Sequence, residues 1–424
     1  VIDELSEPLS ISFAPQSILS NMKEFSQRAI EFLFLVFGFS LPFSVAAGFF
    51  CMGLITLLTL LGGHYRQLGK IFYSSHIAWA GLAWWLLHSL GWIYSSDTTN
   101  ALEPWKKATY LAFIPVFMTS LRPAMFQKFL GSFLVGLSIY HLIVHALHLN
   151  WIQIGSLQVG GTPFIARIHY SPILVFGILL LIHWQRRWKS ERKVLAWILL
   201  LSLLVSLIST QGRSGQVLLT ILLPLWVLLE THSWKRFLLG LAALLLIGAA
   251  LFFSVDLFSE RYRKIQVDWE AYQTGNIYTS MGQRFHHLGV SWKIFQKSPL
   301  FGHGTGSYLK EHDRIYPHYE QNRISINNPH NQFLIMIVQF GLIGIVALLS
   351  LFFVQVRAYQ KAETHPFRPF LILLPSMFLI LCMIDTHLYG VPSLTLFIYM
   401  STILYHPGWE EEEEKEYLAP THRK

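Results

Sequence analysis

Residues 326–331 read Ile-Asn-Asn-Pro-His-Asn and close a polar, aromatic and charged stretch, residues 255–331, that stands between long apolar runs. The stretch carries Arg261, Arg263, Arg284, Arg314 and Arg323, together with His286, His287, His303, His312, His318 and His330. A segment of this length without a membrane-length apolar run is an exception in this chain, and long connections with structure of their own are where function concentrates. The remainder reads as the scaffold that holds this segment at a membrane surface.

That scaffold follows from composition. The chain has 424 residues, 53% of them hydrophobic and 13% charged, against roughly 25% charged in soluble domains. Apolar runs fall at about 28–41, 44–63, 76–95, 105–120, 126–148, 169–184, 194–210, 215–230, 237–254, 332–356, 369–384 and 389–406. Their length and frequency predict an all-α, polytopic membrane protein with about twelve transmembrane helices and one large outer loop containing short helices. The expected division is 1–254 for the first nine helices, 255–331 for the loop, 332–406 for the last three, and 407–424 for a charged cytoplasmic tail. Pro42, between the first two runs, is compatible with a hairpin or with a kink. The first 25 residues are polar and lack the apolar core of a cleavable signal peptide. Cys51 and Cys382 lie inside apolar runs and read as small core residues.

Orientation follows from basic residues in the short loops. Arg66 and Lys70, Arg122 and Lys128, Arg186 to Lys193, Lys235 and Arg236, and Arg357, Lys361 and Arg368 fall on one side. Only Lys106, Lys107, Arg167 and Arg213 fall in the alternate short loops. The basic set is therefore expected in the cytoplasm with both termini, and residues 255–331 outside it. The net charge of +8 is then largely a topology signal, which removes a nucleic-acid partner.

Within the loop, Leu257, Tyr262, Ile265, Trp269 and Tyr272 repeat at near-helical spacing. A second helix is expected after Ser280, with Gln283 completing a capping box, and Ser298-Pro299 ends it. Its apolar face is expected to be Phe285, Leu288, Trp292 and Phe295, with Arg284, His287 and Ser291 on another face. Gly302-His303-Gly304-Thr305-Gly306 lacks the ending of a phosphate loop and reads as a tight turn.

Several residues carry candidate chemistry. Arg213 sits between glycines in a hairpin, where a guanidinium suits phosphate oxygens or simply snorkels to the interface. His330 follows Pro329 at the expected start of a helix, where an imidazole can act as general base. Asp385 falls at the hairpin of the last two runs, and an acid at membrane depth points to function. His141, His145 and His148 share one helix stripe, read first as a polar interhelical seam and second as a metal site. Asp268-Trp269-Glu270, the nearest approach to a paired acidic metal motif, reads as helix surface. A metal-independent reaction is expected, with no metal and no cofactor.

Thr210-Gln211-Gly212-Arg213-Ser214-Gly215, then Arg284 with Trp292 and Ser298-Pro299-Leu300-Phe301-Gly302-His303-Gly304, then His330-Asn331-Gln332-Phe333-Leu334, follow one another in an order that resembles the O-antigen ligase and polymerase superfamily. The resemblance covers roughly residues 195–400 and extends to the layout of about twelve helices with one large periplasmic loop, as in membrane glycosyltransferases of the GT-C type. It implies transfer of a glycan from an undecaprenyl-diphosphate carrier to a lipid A-core acceptor, at the periplasmic face of a Gram-negative inner membrane, with membrane lipids around it. Arg213 and Arg284 would then bind the diphosphate, His330 would be the catalytic histidine, and Asp385, His303 and Asn331 would contact substrate. The ligase is the leading member of that group. A polymerase or a protein O-oligosaccharyltransferase would use the same donor, and a lipid-linked glycan flippase is the alternative of a different class.

The topology has a direct test. In intact spheroplasts a membrane-impermeant thiol reagent is expected to label a cysteine at position 275 and to spare one at position 189. The opposite pattern would invert the orientation and everything placed by it.

Overall fold

The computed structural model describes residues 16–153, 162–186, 188–209, 213–254, 256–316 and 328–409. The hairpin residues 210–212, His318, Arg323 and the charged tail from 410 onward lie outside them. The described residues are helical throughout, with no strand. In order they form α1 (Gln16–Ser40), α2 (Val45–Leu61), α3 (Leu68–Ser74), α4 (His76–Ile93), α5 (Leu102–Leu111), α6 (Phe113–Met118), α7 (Phe126–His148), α8 (Arg167–Gln185) and α9 (Ser190–Ser209). They continue with α10 (Arg213–Thr231), α11 (Trp234–Ser254), α12 (Asp256–Gln273), α13 (Ser280–Lys297), α14 (Tyr308–Ile315), α15 (Gln332–Lys361), α16 (Phe370–Ile384) and α17 (Val391–Leu404).

Every apolar run is helical, but not every run is one span. Among the described residues four helices can cross a membrane by length and composition: the stretch Pro123–His148, Arg167–Gln185, Ser214–Thr231 and Gln332–Lys361. A bent pair, Val45–Leu61 with His64–Ser74, makes a fifth at most. The expected helix at 105–120 is two short ones, α5 and α6. Pro115 has no N–H and its ring crowds the carbonyl of residue 111, so the chain breaks at Ala112. Pro42 marks a hairpin: α1 ends at Ser40, Ser44 caps α2 by accepting from the Ala47 amide at 3.2 Å, and the two helices pack along each other.

Burial identifies the solvent. Central α8 buries Ile173 to Leu181 on all sides, and α17 buries Leu394 to Leu404. Peripheral helices do the reverse of a soluble protein. On α9, Val194, Ile198, Leu201, Val205 and Ile208 form an exposed apolar stripe, and on α15 Leu342, Val346, Leu349 and Phe353 form another. Such stripes are stable facing lipid, where backbone groups are satisfied within each helix. The chain is a helical membrane protein.

One helix is broken where it matters. Gly341 in α15 has φ +59 and ψ −144, so the ladder is interrupted there. The turn at 302–306 repairs it. The His303 amide donates to the Val338 carbonyl at 3.0 Å, and the Gly304 amide donates to the Gln339 carbonyl at 2.8 Å. The Leu342 amide donates in turn to Pro299 at 2.8 Å. The other side of the turn docks on the end of α4, with the Thr305 amide to the Gly91 carbonyl at 3.0 Å and the Ser96 amide to the His303 carbonyl at 2.9 Å. A Cβ at Gly304 would stand 2.4 Å from Ser95 and one at Gly341 would stand 2.4 Å from the Pro299 oxygen. The expected glycine turn is thus present, and its glycines serve close backbone approach.

The outer helices α12 and α13 form as expected, joined by Phe285 packing on Trp269 and Tyr272 at ring distances of 5.7 and 5.0 Å. Two details differ. Thr279, not Ser280, caps α13 by accepting from the Gly282 amide at 3.1 Å, and glycine at the third position leaves no side chain to close a capping box. The face of α13 that packs inward is His287, Val290, Ser291 and Ile294, while Leu288 and Trp292 are exposed. The turn and α15 take that face because the tie at 299–304 fixes how α13 lies on α15.

Gly341→Ala is expected to lower stability by roughly 1–3 kcal/mol or more, since it strains the backbone and collides with Pro299. Gly53→Ala, in open space within α2, serves as control and should leave stability unchanged or raise it by up to about 1 kcal/mol. Thermal unfolding of both in detergent checks this, and equal midpoints would mean that the break does not hold the loop.

Candidate active site

Asn331 fixes where α15 begins. Its Oδ1 accepts from the Phe333 and Leu334 amides at 2.8 and 3.1 Å, and its Nδ2 donates to the Met383 carbonyl at 3.0 Å. Both ends of the amide are therefore engaged in holding the start of α15 against the end of α16, which is a structural task where sequence suggested substrate contact. His330 lies before that cap, not at the opening of the helix, and has φ +52. A left-handed β-carbon-bearing residue costs of order 1–3 kcal/mol and persists only where its surroundings impose it. The Asn328 side chain does so by accepting the His330 amide at 2.9 Å.

This strained backbone carries the imidazole to a carboxylate. His330 Nδ1 lies 3.3 Å from Asp385 Oδ2. Burial by itself would raise the Asp385 carboxyl. The bond to His330, the Thr386 amide on Oδ1 at 2.7 Å and the nearby His387 outweigh burial and hold the group below the ordinary carboxylate range. An ionised carboxylate only accepts, so His330 Nδ1 is the donor, and Nε2 of the neutral ring keeps its lone pair. Asn328 Nδ2 spans the pair, 2.6 Å from Thr386 Oγ1 and 3.4 Å from Asp385 Oδ1.

Asp385, Thr386 and Asn328 line a cavity of about 400 Å³, with Lys107 of α5, His169 of α8 and Tyr308 of α14 on its other walls. His169 and buried His387 both meet Ser393 Oγ at 2.8 Å. Burial first, and His169 second, push His387 down, with Asp385 opposing. Behind His330 stands His287, its ring centre 6.4 Å away, bonded through Nδ1 to Tyr308 at 2.8 Å. Burial, then the neighbouring His286, His312 and His330, push His287 down to about 3. His287 is thus neutral at ordinary pH.

The sequence candidates separate into groups. His330 and Asp385, separated by 54 intervening positions, are brought into contact. Arg284 sits one turn before His287 on α13, is exposed, and makes no hydrogen bond or ion pair among the described residues. Arg213 opens α10, where Ser214 meets Ser171 of α8 at 3.1 Å. That contact is at the same end of α8 as the cavity-lining His169. His303 is used inside the loop: Nε2 lies 3.2 Å from the Ile294 carbonyl and Nδ1 3.7 Å from buried Glu311. His141 and His145 reach Ser202 of α9 at 3.1 and 3.2 Å, the polar seam between helices. Among the described residues no group of three His, Cys, Asp or Glu is arranged to hold a metal ion.

Asn328, Thr386, His169, Tyr308 and Lys107 were not singled out by sequence. Asn328 has a signal, since an asparagine two residues before its target amide makes an Asx-turn. Lys107 has one too, as a rare basic residue in a loop assigned to the outer side. The others, His169 in the first turn of α8, Tyr308 at the start of α14 and Thr386 in the short α16–α17 hairpin, carry none.

Comparison with known proteins bears on this geometry. Residues 197–349 match the family model described as O-antigen ligase. An O-antigen ligase of Salmonella typhimurium is 24% identical over 280 residues, 63% of this chain and 66% of its own. An uncharacterized protein of Haemophilus influenzae is 22% identical over 271 residues, 62% of each chain. The chain spans a little under two thirds of the length of these relatives. The matched segment includes Arg213, Arg284, His303, His330 and Asn331 and stops before Asp385.

Because Asp385 is held below its ordinary value when folded, its contribution to stability is complete above that value and is lost as pH falls through the folded one. Asp385→Asn should cost roughly 1.5–3 kcal/mol at pH 7, and its deficit against the parent should shrink as pH falls below about 4. Thermal midpoints from pH 7 to pH 3 check the trend. A deficit independent of pH would show that the carboxylate charge is not what holds His330.

Proposed function

We propose that this chain, whose residues 197–349 match the O-antigen ligase family, is an O-antigen ligase. It moves O-antigen polysaccharide from undecaprenyl diphosphate to a sugar hydroxyl of lipid A-core at the periplasmic face of the inner membrane. The observation that carries this reading is the His330–Asp385 pair at 3.3 Å beside a cavity fed from six parts of the chain.

The reaction needs two things. The acceptor hydroxyl must lose its proton as it attacks the anomeric carbon, and the departing diphosphate must be stabilised. His330 is the base: Asp385 holds Nδ1–H, leaving Nε2 to take the proton, and the carboxylate stabilises the imidazolium that results. Arg284 and Arg213 are the diphosphate partners, through paired donors and fixed positive charge. The C–O bond to the diphosphate breaks as the new glycosidic bond forms, and the proton rests on His330 until solvent removes it. Asn328 and Thr386 keep Asp385 in place, and Asn331 and His303 hold the segments that carry the site. The reaction proceeds without metal, since the two arginines take over charge neutralisation.

His330→Ala is expected to lower single-turnover transfer by about 10²–10⁴, with donor affinity changed much less. In a strain lacking the parent gene, this variant should leave lipid-linked polymer in place and the lipopolysaccharide ladder missing on gels. Transfer within a few-fold of the parent would remove His330 as the base. Lipopolysaccharide bearing single repeats in the deletion strain would make the enzyme a polymerase instead.

A further inference from the structure

The cavity beside the dyad holds a cation that the proposed reaction has not used. Lys107 of α5 lines the same cavity as Asp385 and is half-buried. The other charged groups there already have partners. Asp385 is committed to His330 and Thr386. Glu103, one turn before Lys107 on the same wall, accepts from Lys106 Nζ at 3.2 Å. Glu103 is near enough to act on Lys107 electrostatically, yet Lys107 makes no hydrogen bond or ion pair among the described residues. His169 is bonded to Ser393.

A half-buried ammonium without a bonded partner is costly, because it has lost part of its water and gained no fixed acceptor. Here it lines a cavity of about 400 Å³, the size of a headgroup site and far too small for a polyprenyl tail. The polar side chains that share the walls are themselves fixed by hydrogen bonds, Tyr308 to His287, Tyr389 to His88 and Asn328 to Thr386, so Lys107 is the cation there without such a bond among the described residues. Ammonium binds phosphate as a point charge, without needing the planar fork of an arginine.

We propose that Lys107 forms an anion subsite of this cavity and takes a phosphoryl group of the lipid-linked substrates. Its source is the diphosphate of the donor or a phosphate carried on the core of the acceptor. The choice between these sources rests on the ligase reading; the phosphoryl chemistry rests on the cavity.

The test reads Lys107 itself. The purified full chain in detergent is treated with an amine-reactive reagent, and labelling of Lys107 is followed by peptide mass spectrometry. Four probes are added separately: undecaprenyl diphosphate, undecaprenol, phosphorylated lipid A-core, and the same lipid A-core after phosphatase treatment. Slowing by undecaprenyl diphosphate but not by undecaprenol assigns the donor. Slowing by the phosphorylated acceptor but not by its dephosphorylated form assigns the acceptor. The affinity of the protecting probe should fall roughly tenfold or more in Lys107→Ala and much less in Lys107→Arg. No protection by either phosphorylated probe, or equal protection by the phosphate-free partner, overturns the subsite. Transfer is measured on the same preparation. Protection without transfer would remove the ligase reading and leave the phosphoryl subsite standing.

Discussion

Two hydrogen bonds from backbone amides across a broken helix organise the site. Gly341 interrupts α15 and leaves carbonyls without their helical donors. The amides of His303 and Gly304 replace those donors, at Val338 and Gln339. A break in an apolar helix is tolerated where protein, and not lipid, meets the freed backbone groups. The segment 256–316 is therefore not an appendage, because its turn supplies hydrogen bonds that α15 lacks. The same turn bonds to Gly91 and Ser96, so α4, α15 and the loop are held at one junction. Three glycines of positive φ, at 302, 304 and 306, allow the backbones to come this close.

The chemistry of the candidate site depends on that junction. With α15 fixed at its break, its first turn is fixed as well, and Asn331 ties it to Met383 at the end of α16. Asp385 follows two residues later, and His330 precedes Asn331 by one. The strained φ of His330 is the local cost of pointing its ring to Asp385, and the Asn328 bond offsets part of it. A base placed by such over-determined backbone loses little freedom on reaching its reactive geometry, which is how positioning lowers a barrier. In α13, burial of His287 and Ser291 follows from the same tie. Sequence placed those two residues with Arg284 on one face but assigned the packed face to Leu288 and Trp292.

Legibility differed by scale. Apolar runs gave nearly every helix, because burial in lipid demands long apolar stretches whatever the partners. They did not give the breaks at Ala112 and Gly341, because Pro115 and Gly341 interrupt helices through backbone chemistry that hydropathy does not record. The helices α12 and α13 were readable from aromatic spacing. The order of the arginine and histidine motifs pointed to the ligase family, as the match over 197–349 shows. The contact between His330 and Asp385 was not readable, since it depends on the α15–α16 packing and on an Asx-turn. Lys107 was visible only as an anomaly in the charge count, because its meaning lies in the cavity that α5 shares with segments two hundred or more positions away.

The proposed division of labour between base and arginines has an electrostatic logic. At 4 Å a pair of unit charges is worth about 1 kcal/mol in bulk water and about 4 kcal/mol in the effective dielectric near a protein surface. Arg284 is exposed, so in the proposed mechanism its pull on a diphosphate is weak until the bound lipid and glycan displace water around it. His330 and Asp385, by contrast, are already bonded. In the proposed mechanism the base is thus oriented before substrate arrives, and neutralisation of the leaving group strengthens as the site fills.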